Sequence, residues 1–406
     1  MYDLLSGLRV IEGSAFVAAP LGGMTLAQLG AEVIRFDPIG GGIDHRRWPL
    51  DDAGRSLYWA GLNKGKKSIA VNTREEEGRE LIRALICEPG RDRGLFLTNH
   101  PPGGPFDHSE LKARRDDLIM LNVLGSHDGS PAVDYTINCA IGFPYATGPR
   151  DNDRPVNHLL AAWDLVAGSM AATGILAAER RRSRNGEGGL IRLALSDIAI
   201  WVASALGHIA EAELLGRNRT ADGNHIYGAF GHDFETADGR RVMVTALTGS
   251  QWRRLKKVVE IDAQVMDLER ANGLDLDNEG DRYRVRDEIV EFVRPWIAAR
   301  HYDSVKTAFD RAGVLWGPYQ TFTELVANDF RCSTDNPMMQ RIAQPGIGEF
   351  LVAGLPLRFD GLTEDSVAAA PILGSDTDRV LSECLGLPDH TIADLHDRGI
   401  IGGAVI

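Results

Sequence analysis

Cysteine is scarce in this sequence: four in 406 residues. Cys87, Cys139, Cys332 and Cys384 lie far apart, with no CxxC pair and no metal-type spacing, so they read as reduced core residues and leave no case for a structural metal. Basic charge is also short. Lys and Arg number 44 against 57 Asp and Glu, a formal net charge of −13, which argues against nucleic acid or an anionic membrane as a main partner. An anionic small molecule is still admissible, because local basic groups can outweigh the overall field. No apolar run is long enough to span a bilayer. MYDLLSGLRVIEG lacks the basic region and apolar core of a secretory signal, so the expectation is a cytoplasmic protein. Nucleotide signatures are missing too. The turn after the first strand reads SAFVAAPLGG rather than GxGxxG, and Gly40-Gly41-Gly42 follows the second strand, the wrong place for a dinucleotide fingerprint despite Asp37 at the strand end. Neither GxxxxGK[ST] nor GxSxG occurs, which removes the phosphate-loop and nucleophile-elbow chemistries.

Hydrophobic residues make up 44% of the chain, ample for more than one core. The first third alternates β-rich runs (8–13, 31–37, 67–72, 94–99, 117–125) with helical stretches (18–30, 75–86), the pattern of a parallel sheet covered on both faces. A long helix around Asp164 runs to about Arg184, and 190–215 reads as a strand leading into one long apolar helix. Beyond it, FETADGRRVMVTAL is a hairpin turning at Asp238-Gly239, followed by amphipathic helices. This organisation predicts an N-terminal large domain over 1–215, a small α+β domain over 225–325, and a tail, 330–406, that returns to the large domain.

Asp164 is the only charged side chain between His158 and Glu179. A carboxylate in such surroundings must be neutralised, partnered, or placed there to react, because burying it alone costs several kcal/mol. Its neighbours Ala161, Ala162, Ala167, Gly168 and Ser169 are small and read as space for another molecule. Two readings stand together: a helix N-cap or satisfied core carboxylate, partnered by His158 or Trp163, and a nucleophile held ionised by nearby amides. His45, Arg46, Arg47 and Trp48 either grip a phosphate or carboxylate or form a solvated loop with Trp48 tucked inside. Lys64, Lys66 and Lys67 allow the same two readings. His225 and Tyr227 either line a cleft or make a structural turn.

An ordered set of short motifs resembles the family III CoA-transferases over nearly the whole chain. They are L-x-G-L-R-V at 5–10, L-x-x-L-G-A-E-V-I at 26–34, the glycine loop before Arg46-Arg47-Trp48, N-K-G-K-K-S-I-A-V at 63–71, W-D-L-V-A-G around Asp164, L-A-A-E-R-x-R-x-x-G-E-G at 176–188, and P-x-L-G-x-x-T-D at 371–378. The resemblance implies a Rossmann-like α/β large domain built from both chain ends, a smaller α+β domain, and two subunits interlocked as a homodimer. It implies Asp164 as the nucleophile of an acyl-CoA substrate, with no cofactor beyond coenzyme A itself. It puts CoA near Val17, the Val71-Asn72-Thr73-Arg74 segment and Asn99-His100, and leaves Arg47, His225 and Tyr227 for the free carboxylate. The α-methylacyl-CoA racemases share the fold but add a His in a G-H-D segment and a later Glu. Here those segments read Ala132-Val133-Asp134-Tyr135 and Ala246-Leu247-Thr248-Gly249, so the acid–base pair for proton abstraction is missing. The chain also lacks a GGGGQ loop and carries Pro38 where many transferases have Arg. Its 12–42 block and the CSTDNPM and QPGIG segments resemble a branch that moves CoA between the two carboxyls of one branched unsaturated C5 diacid. An intermolecular transferase acting on another carboxylic acid is the alternative.

Overall fold

Six short runs of Val, Ile, Leu and Phe form the parallel strands that the alternating pattern predicts: β1 (Arg9–Gly13), β2 (Glu32–Asp37), β3 (Lys67–Val71), β4 (Leu95–Thr98), β5 (Ile119–Leu124) and β6 (Gly189–Ala194). The structure is a computed structural model that describes residues 1–151, 154–363 and 365–405. The strands lie in the order β3-β2-β1-β4-β5-β6, and Ile401–Gly402 adds a seventh, antiparallel to β3. Strand order therefore reverses between β1 and β4. In open α/β sheets a crevice forms outside the carboxyl ends of the strands at such a switch point.

Helices cover both faces, as near-continuously apolar strands require. On one face Ile11, Phe36, Ile69, Phe96 and Met120 pack against Ile82, Leu85 and Ile86 of a helix over Glu76–Ile86 and against Val380, Leu381, Ile392 and Leu395 of the tail. On the other lie α1 (Ala18–Gln28) and, much later in the chain, the 24-residue helix Ala162–Asn185 that carries Asp164. These two helices meet through glycine and alanine. A Cβ on Gly168 would lie 2.8 Å from the Leu21 Cβ and 2.9 Å from the Ala18 carbonyl oxygen, and one on Gly22 would lie 3.1 Å from the Ala171 Cβ. The small residues after Asp164 are thus filled by α1, with Ala167, Gly168, Ala171 and Ala172 buried, and are not space for a ligand.

The first compact unit comprises Met1–Ile141, Leu159–Ala210 and Phe330–Ile406. The P-x-L-G-x-x-T-D motif explains how the tail is held there. Asp376 Oδ2 accepts from the Ser68 amide at 2.9 Å, Thr377 Oγ1 from the Ala70 amide at 3.0 Å, and the Gly374 amide donates to Ser68 Oγ. The second unit comprises Gly142–His158 and Glu211–Asp329. Its antiparallel sheet of Phe230–Glu235, Arg241–Ala246 and Leu315–Pro318 turns at Gly239 as expected and packs on helices through Trp252, Val293, Val305 and Phe309.

Three expectations change. Residues 142–158, read as large domain, cluster with the second unit, where Arg150 pairs with Asp222 and Asp287 and the Gly223 amide donates to Gly148. The long helix after β6 is broken: one helix ends at Ala205, another starts at His208, and Gly207 between them has φ 79°. Of the four free cysteines, Cys87 and Cys384 are half-buried against the core of the first unit, as expected, whereas Cys139 is exposed and Cys332 only half-buried.

Candidate active site

After α1 come α2 (Leu57–Leu62), α3 (Glu76–Ile86), α4 (His108–Arg114) and α5 (Asp134–Ala140); the Asp164 helix Ala162–Asn185 is α6, followed by α7 (Leu195–Ala205). A cleft of about 280 Å³ opens at the switch point, lined by Ala15 and Phe16 after β1, Asn99 after β4, Arg47, Asp134 and Tyr135 of α5, and Asp164. Asp164 sits in the first turn of α6 but does not cap it: the N-cap is Ala161, whose side chain can accept nothing. The cap comes from another helix. Asp134 Oδ2 accepts from the amides of Trp163 and Asp164 at 2.7 and 3.1 Å, satisfying donors that the helix cannot satisfy itself. Asp134 is 2% exposed.

Two carboxylates thus share one cleft, and Asp164 feels the consequence. Burial first, then the charge of Asp134, raise its pKa from the usual 3.8 to about 6, while the Arg47 guanidinium works in the opposite direction. The expectation of a lowered pKa from the first-turn amides is therefore reversed, because Asp134 takes those amides. At neutral pH the group is still about nine-tenths ionised, but as a poorly solvated, more basic carboxylate. That is the character of an activated nucleophile.

Arg47 is held by rings rather than left in a solvated loop: its guanidinium lies 5.1 Å from the ring centroids of both Phe16 and Tyr58. Phe16 has φ 69°, a conformation that bulky residues rarely adopt, so something must impose it. The buried Asp44 does so, accepting from the Phe16 amide at 3.0 and 3.1 Å. Asp44 in turn pairs with Arg35, which also binds Asp37 and the Ser14 carbonyl. Beside them Lys66 donates to Glu12, Asn63 and the Pro20 carbonyl at 2.8–2.9 Å. Burial pushes the Lys66 ammonium down to about 8, against the pull of Glu12. Neither reading of the lysines holds for Lys66, which faces neither solvent nor ligand. Lys64 is also buried, and Lys67 pairs with Glu32. Trp48 is 78% exposed, not tucked inside, and Trp59 packs against His45 instead.

The remaining expected residues are placed as follows. Val17, Val71–Arg74, Asn99 and His100 all fall at the carboxyl edge of the sheet, after β1, β3 and β4. Several offer only backbone there. The Val71 side chain is fully buried and that of Val17 nearly so. Asn99 is committed to both backbone groups of Ala15, and Asn72 to the Gly399 carbonyl and the Arg74 amide. Thr73 is half-buried and Arg74 exposed. The His100 ring lies against Phe36 and Phe106, and desolvation lowers its pKa. His225 and Tyr227 belong to the second unit and are engaged there: His225 pairs with Asp287 at 3.3 Å and stacks on His232, and the Tyr227 hydroxyl donates to Glu211. Sequence reasoning missed Asp134 as a cap and Glu12, Arg35 and Asp44 as a network. A readable signal existed for two of these, since Glu12 and Arg35 interrupt adjacent apolar strands.

Comparison with known proteins bears on this site. Residues 5–377 match CoA-transferase family III. The chain is 51% identical, over 99% of both chains, to 2-methylfumaryl-CoA isomerase of Chloroflexus aurantiacus. It is 25% identical to human succinyl-CoA:glutarate CoA-transferase, over 98% of this chain and 90% of that one. Among solved structures, a CAIB/BAIF family protein from Brucella suis superimposes with TM-score 0.75 at 24% identity, covering 95% of this chain and all of the other. A protein from Mycobacterium tuberculosis gives 0.73 at 20% identity, over 92% and 98%.

Proposed function

The chain belongs to CoA-transferase family III, and from that premise we propose that it moves coenzyme A within one molecule, converting 2-methylfumaryl-CoA to 3-methylfumaryl-CoA. The observation that carries this reading is the end-to-end likeness to the Chloroflexus 2-methylfumaryl-CoA isomerase. The cleft supports it chemically, with a basic, half-buried carboxylate and a fixed guanidinium on the same wall.

Asp164 attacks the thioester carbonyl; the C–S bond breaks, CoA leaves as thiolate, and a mixed anhydride forms. The thiolate then attacks the aspartyl carbonyl of that anhydride, giving an Asp164–CoA thioester and free methylfumarate. Its other carboxylate attacks the aspartyl thioester, a second anhydride forms, and the thiolate returns to the new acyl carbon, releasing Asp164. No proton need move at carbon, which agrees with the missing His and Glu. Splitting one exchange into covalent steps lowers each barrier. Retaining the diacid keeps its effective concentration high, a contribution of several kcal/mol.

Arg47 is the residue we assign to the free carboxylate, since a guanidinium offers a planar fork for it. His225 and Tyr227 would have to leave their present partners to take that role. CoA would run along the carboxyl edge of the sheet, meeting Val17 and Val71 through backbone and Thr73, Arg74 and His100 through side chains. We further propose a cytoplasmic homodimer with no nucleic acid or membrane partner. Ile200 and Trp201 of α7, both exposed, are apolar surface that a second subunit would cover. Among the described residues no single helix is long and apolar enough to cross a membrane.

The test is to incubate the protein with 2-methylfumaryl-CoA and labelled free mesaconate and to separate the two CoA regioisomers by chromatography. Isomerisation with little label in either product supports intramolecular transfer. Extensive label incorporation would assign the chain to intermolecular transfer instead.

A further inference from the structure

Asp134 is nine-tenths buried by a wide margin, yet only half of its carboxylate is accounted for. Oδ2 caps α6 through two amides, and Oδ1 is buried with no hydrogen-bond partner among the described residues. A cap alone needs one oxygen and no charge, and Ser, Thr or Asn serve helix N-termini as well as Asp does. Asp134 lines the same cleft as Asp164. The groups facing Asp164 are few. α5 brings Asp134 and Tyr135, the loop after β2 brings Arg47, and α2 brings Tyr58. α1 and α7 present Ala18 and Leu195. Asp134 is the only other acid in this set, and it is fixed in place by the very helix turn that holds Asp164.

We infer that Asp134 is a positioning residue for the transfer step, using its cap to orient the first turn of α6 and its charge to keep Asp164 from resting as a stable anion. The inference rests on the reading of Asp164 as nucleophile. In the step concerned, the Asp164 oxygen forms a bond to the acyl carbon, the C–S bond breaks, and the negative charge departs on CoA thiolate. Like-charge repulsion between the two aspartates is therefore present in the free enzyme and relieved as the covalent bond forms. Interactions weaker in the ground state than in the transition state are those that accelerate a reaction. Burial contributes to the high basicity of Asp164, and Asp134 is the next cause in order.

The experiment separates cap from charge. Asp134→Asn keeps an oxygen able to accept both amides but removes the charge. The Asp164 carboxyl is followed by 13C NMR in protein labelled at aspartate Cγ, its resonance assigned by its loss in Asp164→Asn. The expected result is a downward shift of the Asp164 titration by roughly one pH unit, since a close like charge is removed. In the isomerase assay the acid limb of the kcat profile shifts by the same amount, and kcat at neutral pH falls roughly threefold, as Brønsted behaviour predicts for a weaker base. Asp134→Ser, also neutral and able to accept an amide hydrogen bond, gives the same shift and keeps the test available should the Asn variant not fold. An Asp164 titration unchanged in both variants would overturn the inference and leave Asp134 as a cap only. The titration needs no turnover, so it tests the coupling even if methylfumaryl-CoA is not the substrate. An absent isomerase activity would count against the proposed function alone.

Discussion

Gly168→Ala sets two effects of known sign against each other at one turn's distance from Asp164. Alanine is the better helix former by about 1 kcal/mol, so in an uncrowded helix the change would stabilise the protein. Here the added methyl would lie 2.8 Å from the Leu21 Cβ and 2.9 Å from the Ala18 carbonyl oxygen, and both belong to a neighbouring helix backbone or to an atom fixed to it. To lengthen that contact from 2.8 Å to the ordinary 3.4 Å, α6 must shift by roughly 0.6 Å relative to α1. Overpacking of this kind costs about 1–3 kcal/mol. The clash therefore wins, with a net loss of about 1–2 kcal/mol. Asp164 lies four residues earlier on the same helix, so it shifts with it, and since a misplacement of about 1 Å in a reacting group costs about a hundredfold, this smaller shift should cost about tenfold. Gly174→Ala is the control on the same helix, where the new methyl meets the Leu121 Cδ1 at 3.1 Å, the free end of a side chain that can rotate away, and the Ile191 Cγ2 at an ordinary 3.8 Å. Thermal melts and isomerase kinetics on both variants give the answer. We expect Gly168→Ala to melt lower and lose at least tenfold in kcat, and Gly174→Ala to melt at or above the parent with activity intact. If Gly168→Ala gained stability like its control and kept full turnover, the argument that α1–α6 contact positions the nucleophile would be wrong.

Three further outcomes follow from the site. A carboxyl whose folded pKa is raised from 3.8 to about 6 holds its proton more readily folded than unfolded, so its ionisation opposes folding above about pH 6 and not below about pH 4. Asp164→Asn should abolish turnover yet stabilise the protein by about 1–2 kcal/mol at pH 7.5, a gain that urea titrations should find gone at pH 4. Lys66→Met removes the closer of the two cations beside the buried Glu12, leaving only the 3.5 Å contact with Arg35, and should cost about 3 kcal/mol by chemical denaturation. Arg47→Lys keeps the charge but loses the planar contact with Phe16 and Tyr58, and should raise KM about tenfold, with a smaller effect on kcat, in steady-state kinetics.

Much of the sheet was legible because its strands are short apolar runs punctuated by helices, and each run from β1 to β5 lies within two residues of where its pattern ends. The tail was legible as a segment returning to the first unit, though its hairpin carries a small cluster of its own in Ile342, Val352 and Val367. What stayed hidden were contacts between parts of the chain far apart in sequence. Asp164 looks like its own helix cap in one dimension, because nothing marks Asp134, 30 residues earlier, as the acceptor for its amide. Lys66 looks like a surface lysine among KGKK until Glu12, 54 residues earlier, is found against its ammonium. Gly207 broke a helix that composition alone would continue, since apolar periodicity on either side of it is undisturbed.

Glu12 and Arg35 show why such errors gather in one place. They stand in β1 and β2 beside the buried apolar run of Val10, Ile11, Val33, Ile34 and Phe36, and a sheet built for stability would carry Val or Ile there. Replacing a buried ion pair with apolar residues of similar size is often neutral or stabilising, so stability alone does not explain their presence. What they hold is the left-handed Phe16, and through its ring the orientation of Arg47 at the cleft. The costs of the fold therefore fall where β1 and β2 end and in the cleft beside them: a strained residue, a buried cluster of three acids and two bases, and a carboxylate whose charged form burial disfavours. Each is unfavourable by itself, and Phe16 and Arg47 line the same cleft as Asp164. The hydrophobic face shared by Ile34, Phe96 and the tail helices supplies the stability against which that arrangement is maintained. Local rules fail at this end of the sheet, as they do where residues serve a site rather than the fold, and this agrees with the role proposed for Asp164.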